Sequence, residues 1–406
     1  MIAMTFSNPS RRALMSGLGG LALATSAGQL AFARSTGQKK IVLVILRGAM
    51  DGLAAVAPYA DPHYRPARGR LALSLPGEVE GVLPIAEGFG LHPRLEFLHA
   101  EWRAAKLAIL HAACSPYRGR SHFDGQDVLE NGGDTAFGLR DGWMNRALGL
   151  LPATASPKAV AIGLASPTVL RGSTPYTSWT PPTQPDVPDS TIARLTDLYA
   201  GDILLSPALA MALETSALVE TQATEGLERR RGAGGLGGYR TLTQAAARIL
   251  SAPGGPAAAV ISLDGWDTHA NQGAASGSLA LRLQSLDAAL ASLKQDLGST
   301  WHDTVVIVAT EFGRTVSANG TGGTDHGAGG AAFLLGGSVR GGRMLGDWPG
   351  LAPAALLDGR DLSPVNDLRA LFAGVLNQQW GLEAADLRSK VFSGGSPPSP
   401  LSGLIA

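Results

Sequence analysis

Cysteine is nearly absent. Cys114 is the only one in 406 residues, so no intrachain disulfide can form, although the N-terminus reads as an address to an oxidising compartment. An excess of either charge is missing too. Thirty-three basic residues balance 33 acidic ones, which gives no support to a nucleic-acid partner, since such proteins carry a basic excess. Beyond the N-terminus no apolar run is long enough to span a bilayer, and there are no internal repeats. Glycine (53) and proline (25) are plentiful, so long loops are expected. With 45% hydrophobic residues, the chain can bury a substantial core in one large or two smaller domains.

The N-terminus reads as an export signal. Ser10-Arg11-Arg12-Ala13-Leu14-Met15 is a twin-arginine pattern, a mildly apolar stretch runs from Gly17 to Phe32, and Ala31-Phe32-Ala33 supplies small residues for cleavage before Arg34. The alternative is a short membrane anchor, but the segment is weakly apolar and ends in a cleavage site. Residues 1–33 are therefore expected to be a signal peptide and 34–406 the mature chain, with the twin-arginine translocase as a partner during export and no stable membrane anchor. Losing two arginines leaves 31 basic against 33 acidic residues, a net charge of −2. That route carries folded proteins, often with a cofactor already loaded.

Ile41-Val-Leu-Val-Ile-Leu46 is a continuous apolar run, the mark of a strand buried on both faces. Further strands are expected at Leu107–His111, Ala159–Gly163, Ala259–Leu263 and Thr304–Ala309. Helical spacing marks Pro93–Ala105, Ser121–Glu130, most of Ser190–Leu227, Tyr239–Leu250 and Leu279–Leu297. Asp61–Gly90 and Ser173–Asp189 read as irregular, and Gly232–Gly238 as a flexible break. The block from about 190 to 250 reads as a helical insert or cap. Short apolar strands alternating with helices argue for an α/β sheet covered on both faces.

Acidic and histidine-bearing motifs follow several of these strands. In a parallel sheet such loops gather at one edge, where ligands bind. Asp51, after the first strand, suits a cation or the N-cap of a short helix at Gly52–Val56. Asp267 and His269, two residues apart, point the same way if the segment stays extended, and both suit zinc-like metals; a turn capped by Asp267 is the plainer alternative. Glu311 ends a buried strand and needs a partner or a metal, and an ion pair with Arg314 would also satisfy it. Asp325-His326 lies within Gly320–Gly330, where glycines let backbone approach a ligand closely. Ser121 precedes a helix, a position suited to a nucleophile; Ser121-x-x-Asp124 also resembles a capping box. His122 is a candidate ligand or acid–base group. His63, His92, His99, His111 and His302 have no such context and read as surface or core residues.

Together, Leu46-Arg-Gly-Ala-Met-Asp-Gly-Leu53, Ser115-Pro-Tyr-Arg118 with Ser121-His-Phe-Asp124, Gly265-Trp-Asp-Thr-His269, Thr310-Glu-Phe-Gly-Arg-Thr315 and Thr324-Asp-His-Gly327 resemble the bacterial domain-of-unknown-function family 1501, across nearly all of the mature chain. That family is placed in the alkaline phosphatase superfamily, beside sulfatases. The resemblance implies a three-layer α/β/α sandwich, usually two divalent metals, and a Ser, Thr or modified Cys attacking phosphorus or sulfur. It implies that Asp51 is the first-strand ligand, Ser121 the nucleophile, Asp267 and His269 a ligand pair, and His326 the late histidine ligand. Glu311 stands where the superfamily carries an Asp-His pair, so one imidazole is missing there; Asp325-His326 is the candidate replacement. Cys114-Ser-Pro116-Tyr-Arg118 matches the minimal sulfatase pattern for conversion to formylglycine, although the spacing to the helix fits Ser121 better.

The resulting expectation is an exported hydrolase of phosphate or sulfate esters. Ser121, His122 and Arg314 would be catalytic, and Asp51, Asp267, His269, Glu311, Asp325 and His326 would hold one or two divalent ions (Zn, Ca, Mg or Mn). Arg314 or Arg47 would steady an oxygen of the anionic ester substrate, with Trp266 as a pocket wall. A non-catalytic periplasmic binding or assembly protein on the same scaffold is the other class of answer.

Overall fold

The computed structural model describes residues 39–153, 157–163, 166–181, 189–220 and 237–406. The expected signal peptide at 1–33 lies outside the described residues, as do the end of the helical stretch after Glu220 and most of the Gly232–Gly238 break. Strands run in the order β1 (Lys40–Arg47), β2 (Val56–Ala57), β3 (Leu83–Ala86), β4 (Phe89–Leu91), β5 (Leu107–Cys114), β6 (Ala159–Ile162), β7 (Thr177–Trp179), β8 (Ala258–Asp264), β9 (Thr304–Ala309), β10 (Gly330–Gly336), β11 (Arg343–Leu345) and β12 (Asn366–Asp367). The helices are α1 (Gly52–Ala55), α2 (Tyr64–Arg68), α3 (Glu96–Arg103), α4 (His122–Asn131), α5 (Trp143–Gly149), α6 (Asp189–Tyr199), α7 (Leu205–Glu220), α8 (Gly238–Ser251), α9 (Ser278–Leu297), α10 (Leu368–Trp380) and α11 (Ala384–Asp386).

The main sheet has the order β11-β5-β10-β9-β1-β8-β6-β7, with β12 also paired to β5. The centre of the sheet explains the unbroken apolar character of β1. Val42, Val44 and Leu46 pack under the layer of α3, α8 and α9, while Ile41, Leu43 and Ile45 pack under α5 and α10. A strand covered on both faces gains nothing from alternation. The chain is thus a three-layer α/β/α sandwich. Leu279, Leu283, Leu286, Leu290 and Leu293 of α9 are all buried at helical spacing, each worth about 1.5–3 kcal/mol of burial.

One strand departs from a parallel sheet. β10 runs antiparallel to both β5 and β9, whereas β1 pairs parallel with β8 and β9, and β6 with β7 and β8. The loop before β10 therefore arrives at the same edge as the loops after β1, β5, β8 and β9.

Two segments expected to be irregular carry structure. Thr177–Trp179 pairs parallel with β6 at the edge of the sheet, a three-residue strand whose Pro-, Ser- and Thr-rich flanks hide it. Within Asp61–Gly90 lie α2 and the strand β3, which joins β4 and β2 in a small second sheet. Of the block read as an insert, α8 packs its buried face against α9 and β8, while α6 and α7 leave large apolar side chains in solvent. Among the described residues no helix is long and apolar enough to cross a membrane.

Candidate metal centre

At the sheet edge the backbone closes up tightly. Gly48, just past β1, has φ +117°, and a Cβ there would lie 2.5 Å from the Asp267 amide nitrogen. A Cβ on Gly323 would lie 2.2 Å from the Thr268 carbonyl oxygen. Only glycine permits these approaches. They press the β1 loop and the glycine-rich loop against Asp267-Thr-His269. A bridge between Arg314 and His326 ties the β9 loop to the same place.

Three histidines converge there on one carboxylate. One side-chain ligand atom from each of His122, Asp267 and His326 fits within a mutual 4.8 Å. His269 joins them, with Nε2 3.1 Å from Asp267 Oδ1 and 2.9 Å from His326 Nε2. His326 Nε2 is 3.3 Å from Asp267 Oδ1, and His122 Nε2 is 3.5 Å from Asp267 Oδ2.

The other ring nitrogens explain this orientation. His122 Nδ1 lies 2.8 Å from Glu311 Oε1, His326 Nδ1 lies 2.9 Å from the Arg120 carbonyl, and His269 Nδ1 lies 3.3 Å from Asp325 Oδ1. Carboxylates and carbonyls only accept, so each Nδ1 carries a hydrogen, and in the neutral ring Nε2 is then the nitrogen left to accept a proton or a cation. Two such nitrogens 2.9 Å apart repel unless a proton or a cation lies between them. His122 Nε2 is buried and has no hydrogen-bond partner, an orphan that needs a ligand. Two imidazole nitrogens and one carboxylate, from His122, His326 and Asp267, form a donor set that fits a divalent ion of zinc type, with His269 bordering it.

The carboxylates at the centre are held in their charged form. Burial pushes Asp267 up, but the hydrogen bond and charge of Arg314, with His269 and His122, outweigh it and hold the carboxyl below its usual range. Glu311 behaves alike: burial raises it, and hydrogen bonds from His122, Gln126 and the Gly48 amide bring it lower. His122 is raised by its bond to Glu311, against burial. His326 is lowered, first by burial and then by the charges of His122 and Arg314. The Asn319 amide, ahead of His269, holds Asp325 low.

Several expected roles change. Glu311 does not reach the centre. Its Oε1 accepts from Gly48, His122 and Gln126 and its Oε2 from Thr310, so it stands behind His122. Its expected partner Arg314 points elsewhere. Arg314 is buried and donates to the carbonyls of Ala49, Thr324, Gly48 and Trp266 and to Asp267 Oδ1. It braces loops and has no donor turned toward solvent for a substrate. Arg47 is held by Ser262, Gln126 and Glu130, and Trp266 is core. Asp325 backs His269 from an exposed position.

Asp51 is not brought to the centre. It caps α1 through the amides of Leu53 and Ala54, and its Oδ2 takes Arg68 and Gln272. Ser121 is the N-cap of α4, its Oγ accepting the Asp124 amide at 3.5 Å. The capping box is altered: the Ser121 amide donates to Tyr117 Oη, which lies 3.3 Å from Asp124 Oδ2. Cys114 is buried against Ala49, Phe312 and Tyr117. His92 and His111 are buried in the core on carbonyl acceptors, and His302 is exposed. Arg68 and Gln272 escaped the sequence reading, since neither sits in a glycine- or histidine-rich motif.

The family model described as "Protein of unknown function (DUF1501)" matches residues 112–391. No curated protein matches. Among solved structures, the chain is similar to the phosphonate monoester hydrolase of Agrobacterium radiobacter, at 11% identity over 89% of this chain and 79% of that one, with a TM-score of 0.39. It is also similar to the C-terminal periplasmic domain of EcEptC from Escherichia coli in complex with zinc, at 10% identity over 74% of each chain, with a TM-score of 0.36.

Proposed function

Taking as premise that this chain belongs to the DUF1501 family, we propose that it is an exported metal-dependent hydrolase of phosphate or sulfate esters. The observation that carries this reading is the set of three imidazoles whose Nδ1 atoms are engaged and whose Nε2 atoms face Asp267. His122, His269, His326 and Asp267 would hold the ion. The imidazole-rich set favours zinc over calcium or magnesium, which prefer all-oxygen ligands. When bound, such an ion supplies Lewis acidity to an ester oxygen and eases deprotonation of a hydroxyl.

The chain's own residues supply the rest. Glu311, Asp325 and the Arg120 carbonyl fix ring tautomer and direction. Arg314 keeps Asp267 ionised. Ser121 is the proposed nucleophile: its Oγ accepts only one long bond, and it sits beside His122 at the positive end of α4. Its oxygen bonds to phosphorus or sulfur as the ester bond breaks, and the alcohol leaves with the hydroxyl proton. Water then cleaves the seryl ester, restoring Ser121 and releasing phosphate or sulfate. Export rests on the twin-arginine pattern at Arg11-Arg12.

The test is zinc binding by the purified chain together with turnover of chromogenic phosphate and sulfate esters. Asp267→Ala should lower zinc content and hydrolysis together. Zinc stoichiometry unchanged in that variant counts against the reading.

The second reading, a non-catalytic binding or assembly protein, is favoured by one observation: Leu198, Ile203 and Leu204, on and between α6 and α7, are 73, 89 and 75% exposed. Such a patch suits a partner. Zinc-free, inert protein would support it.

A further inference from the structure

Four of the carboxylates in the loops at this sheet edge are candidate ligands: Asp51, Asp267, Glu311 and Asp325. Only Asp267 faces the Nε2 atoms of the three imidazoles; Glu311 and Asp325 take Nδ1 atoms instead. Asp51 and Glu311 are occupied by fixed donors, Asp51 most completely, while Asp325 is exposed and takes His269 and Asn319 on one oxygen. Asp51 Oδ1 accepts the Leu53 and Ala54 amides at 3.1 and 3.2 Å, and its Oδ2 accepts Gln272 Nε2 at 2.7 Å and Arg68 Nη2 at 2.5 Å. Neither side-chain partner is free to turn away. Arg68 is fully buried, and its Nη1 donates to the Thr315 and Val316 carbonyls. Gln272 is fully buried, and its Oε1 accepts the hydroxyls of Thr268 and Thr324 at 2.9 and 2.8 Å. Two hydroxyl donors on that oxygen fix the amide so that its nitrogen must face Asp51.

A second ion at Asp51 would have to displace a buried guanidinium and an amide, leaving both without acceptors. At Glu311 it would displace the bond that orients His122. We infer that the chain holds a single divalent ion, at the His122–Asp267–His269–His326 locus, and that Arg68 supplies a permanent positive charge at Asp51 in place of a second ion. The resemblance implied up to two ions, with Asp51 as a ligand; the donor set here fits one. The inference rests on the proposed metal locus and deepens it.

The full chain, stripped with a chelator and titrated with zinc alone, is weighed by native mass spectrometry. One zinc per chain is expected. Asp51→Asn, checked for folding by circular dichroism, should keep that ion at unchanged affinity, and His326→Ala should lose it. Anomalous scattering at the zinc edge, from crystals of the unaltered chain, should give one peak beside Asp267 and none beside Asp51, whatever the fate of the variants. Two ions per chain, or a folded Asp51→Asn that loses its zinc, would overturn this inference and leave the hydrolase reading standing. No zinc in the unaltered chain would overturn both.

Discussion

His122 Nδ1 lies 2.8 Å from Glu311 Oε1, and this contact decides which nitrogen of His122 faces the centre. Glu311 is buried at the end of β9, where the Gly48 amide, Gln126 and Thr310 hold its two oxygens in place. Glu311→Gln offers an amide NH₂ in place of one oxygen and frees His122 to change tautomer. Zinc affinity should fall about 10- to 100-fold, the usual effect of losing a partner behind a ligand, while the far-ultraviolet circular dichroism stays native. Calorimetric titration checks it; affinity within twofold of the parent would remove Glu311 from the site.

Ser121 has two separable roles. As N-cap of α4 it is worth about 0.5–2 kcal/mol, and as proposed nucleophile it is essential. Ser121→Ala should lower stability by that modest amount, keep its zinc and lose ester turnover. Ser121→Asp should restore the cap, since aspartate caps as well as serine, without restoring turnover. Full activity in Ser121→Ala would dismiss Ser121 as nucleophile.

Cys114 is sealed in the core, and burial pushes its thiol up to about 11. A thiol that buried and that reluctant to ionise is inert. The intact mass of the exported protein should correspond to an unmodified cysteine, and iodoacetamide should label Cys114 only after denaturation. A mass consistent with formylglycine would revive the sulfatase form of the chemistry.

His111 gives the fold an acid limit distant in role from the candidate metal centre. Burial lowers it to about 4, against the pull of its bond to the Val56 carbonyl. The unfolded chain takes up this proton near pH 6.5, the folded chain only near 4. Stability from this group is therefore complete above pH 6.5, declines as pH falls from 6.5 to 4, and levels off below. The loss is ~3 kcal/mol at most. Urea unfolding of His111→Gln should show a shallower decline between pH 7 and pH 5 than the parent.

Asp287 works in the opposite sense. It accepts the Phe97 and Leu98 amides at the start of α3, yet burial raises it to about 6. Its neutral form is favoured on folding, so its contribution is greatest below pH 4 and is lost as pH rises toward 6. Asp287→Asn should abolish that component while its carbonyl still accepts one amide. An unchanged pH profile of stability would contradict the assignment.

The central strands were legible because burial on both faces leaves β1, β8 and β9 as short apolar runs bounded by turn residues. The stripe of α9 was legible for a different reason: burial of one face repeats leucines at helical spacing. β7 was not, because three residues at a sheet edge are defined by their neighbour and carry little pattern of their own. At the centre, residue type singled out Asp267, His269 and His326 as candidate ligands, which the fold brings close together, and left His122 between ligand and acid–base roles. The misreadings concern direction. Arg314 and Asp51 have the chemistry for binding and catalysis, but the first turns into four carbonyls and the second into a helix cap and an arginine seventeen residues away. Neither orientation leaves a trace in composition or spacing.

The reversal of β10 has a kinetic consequence. Because His326 enters the site from the start of a strand, its approach depends on β10 already lying between β5 and β9, whose sequence positions are some two hundred residues apart. His122 and Asp267 come from still other crossovers. No local fragment can assemble the donor set, so zinc should recognise only chains whose sheet has closed, and should slow unfolding far more than it speeds refolding.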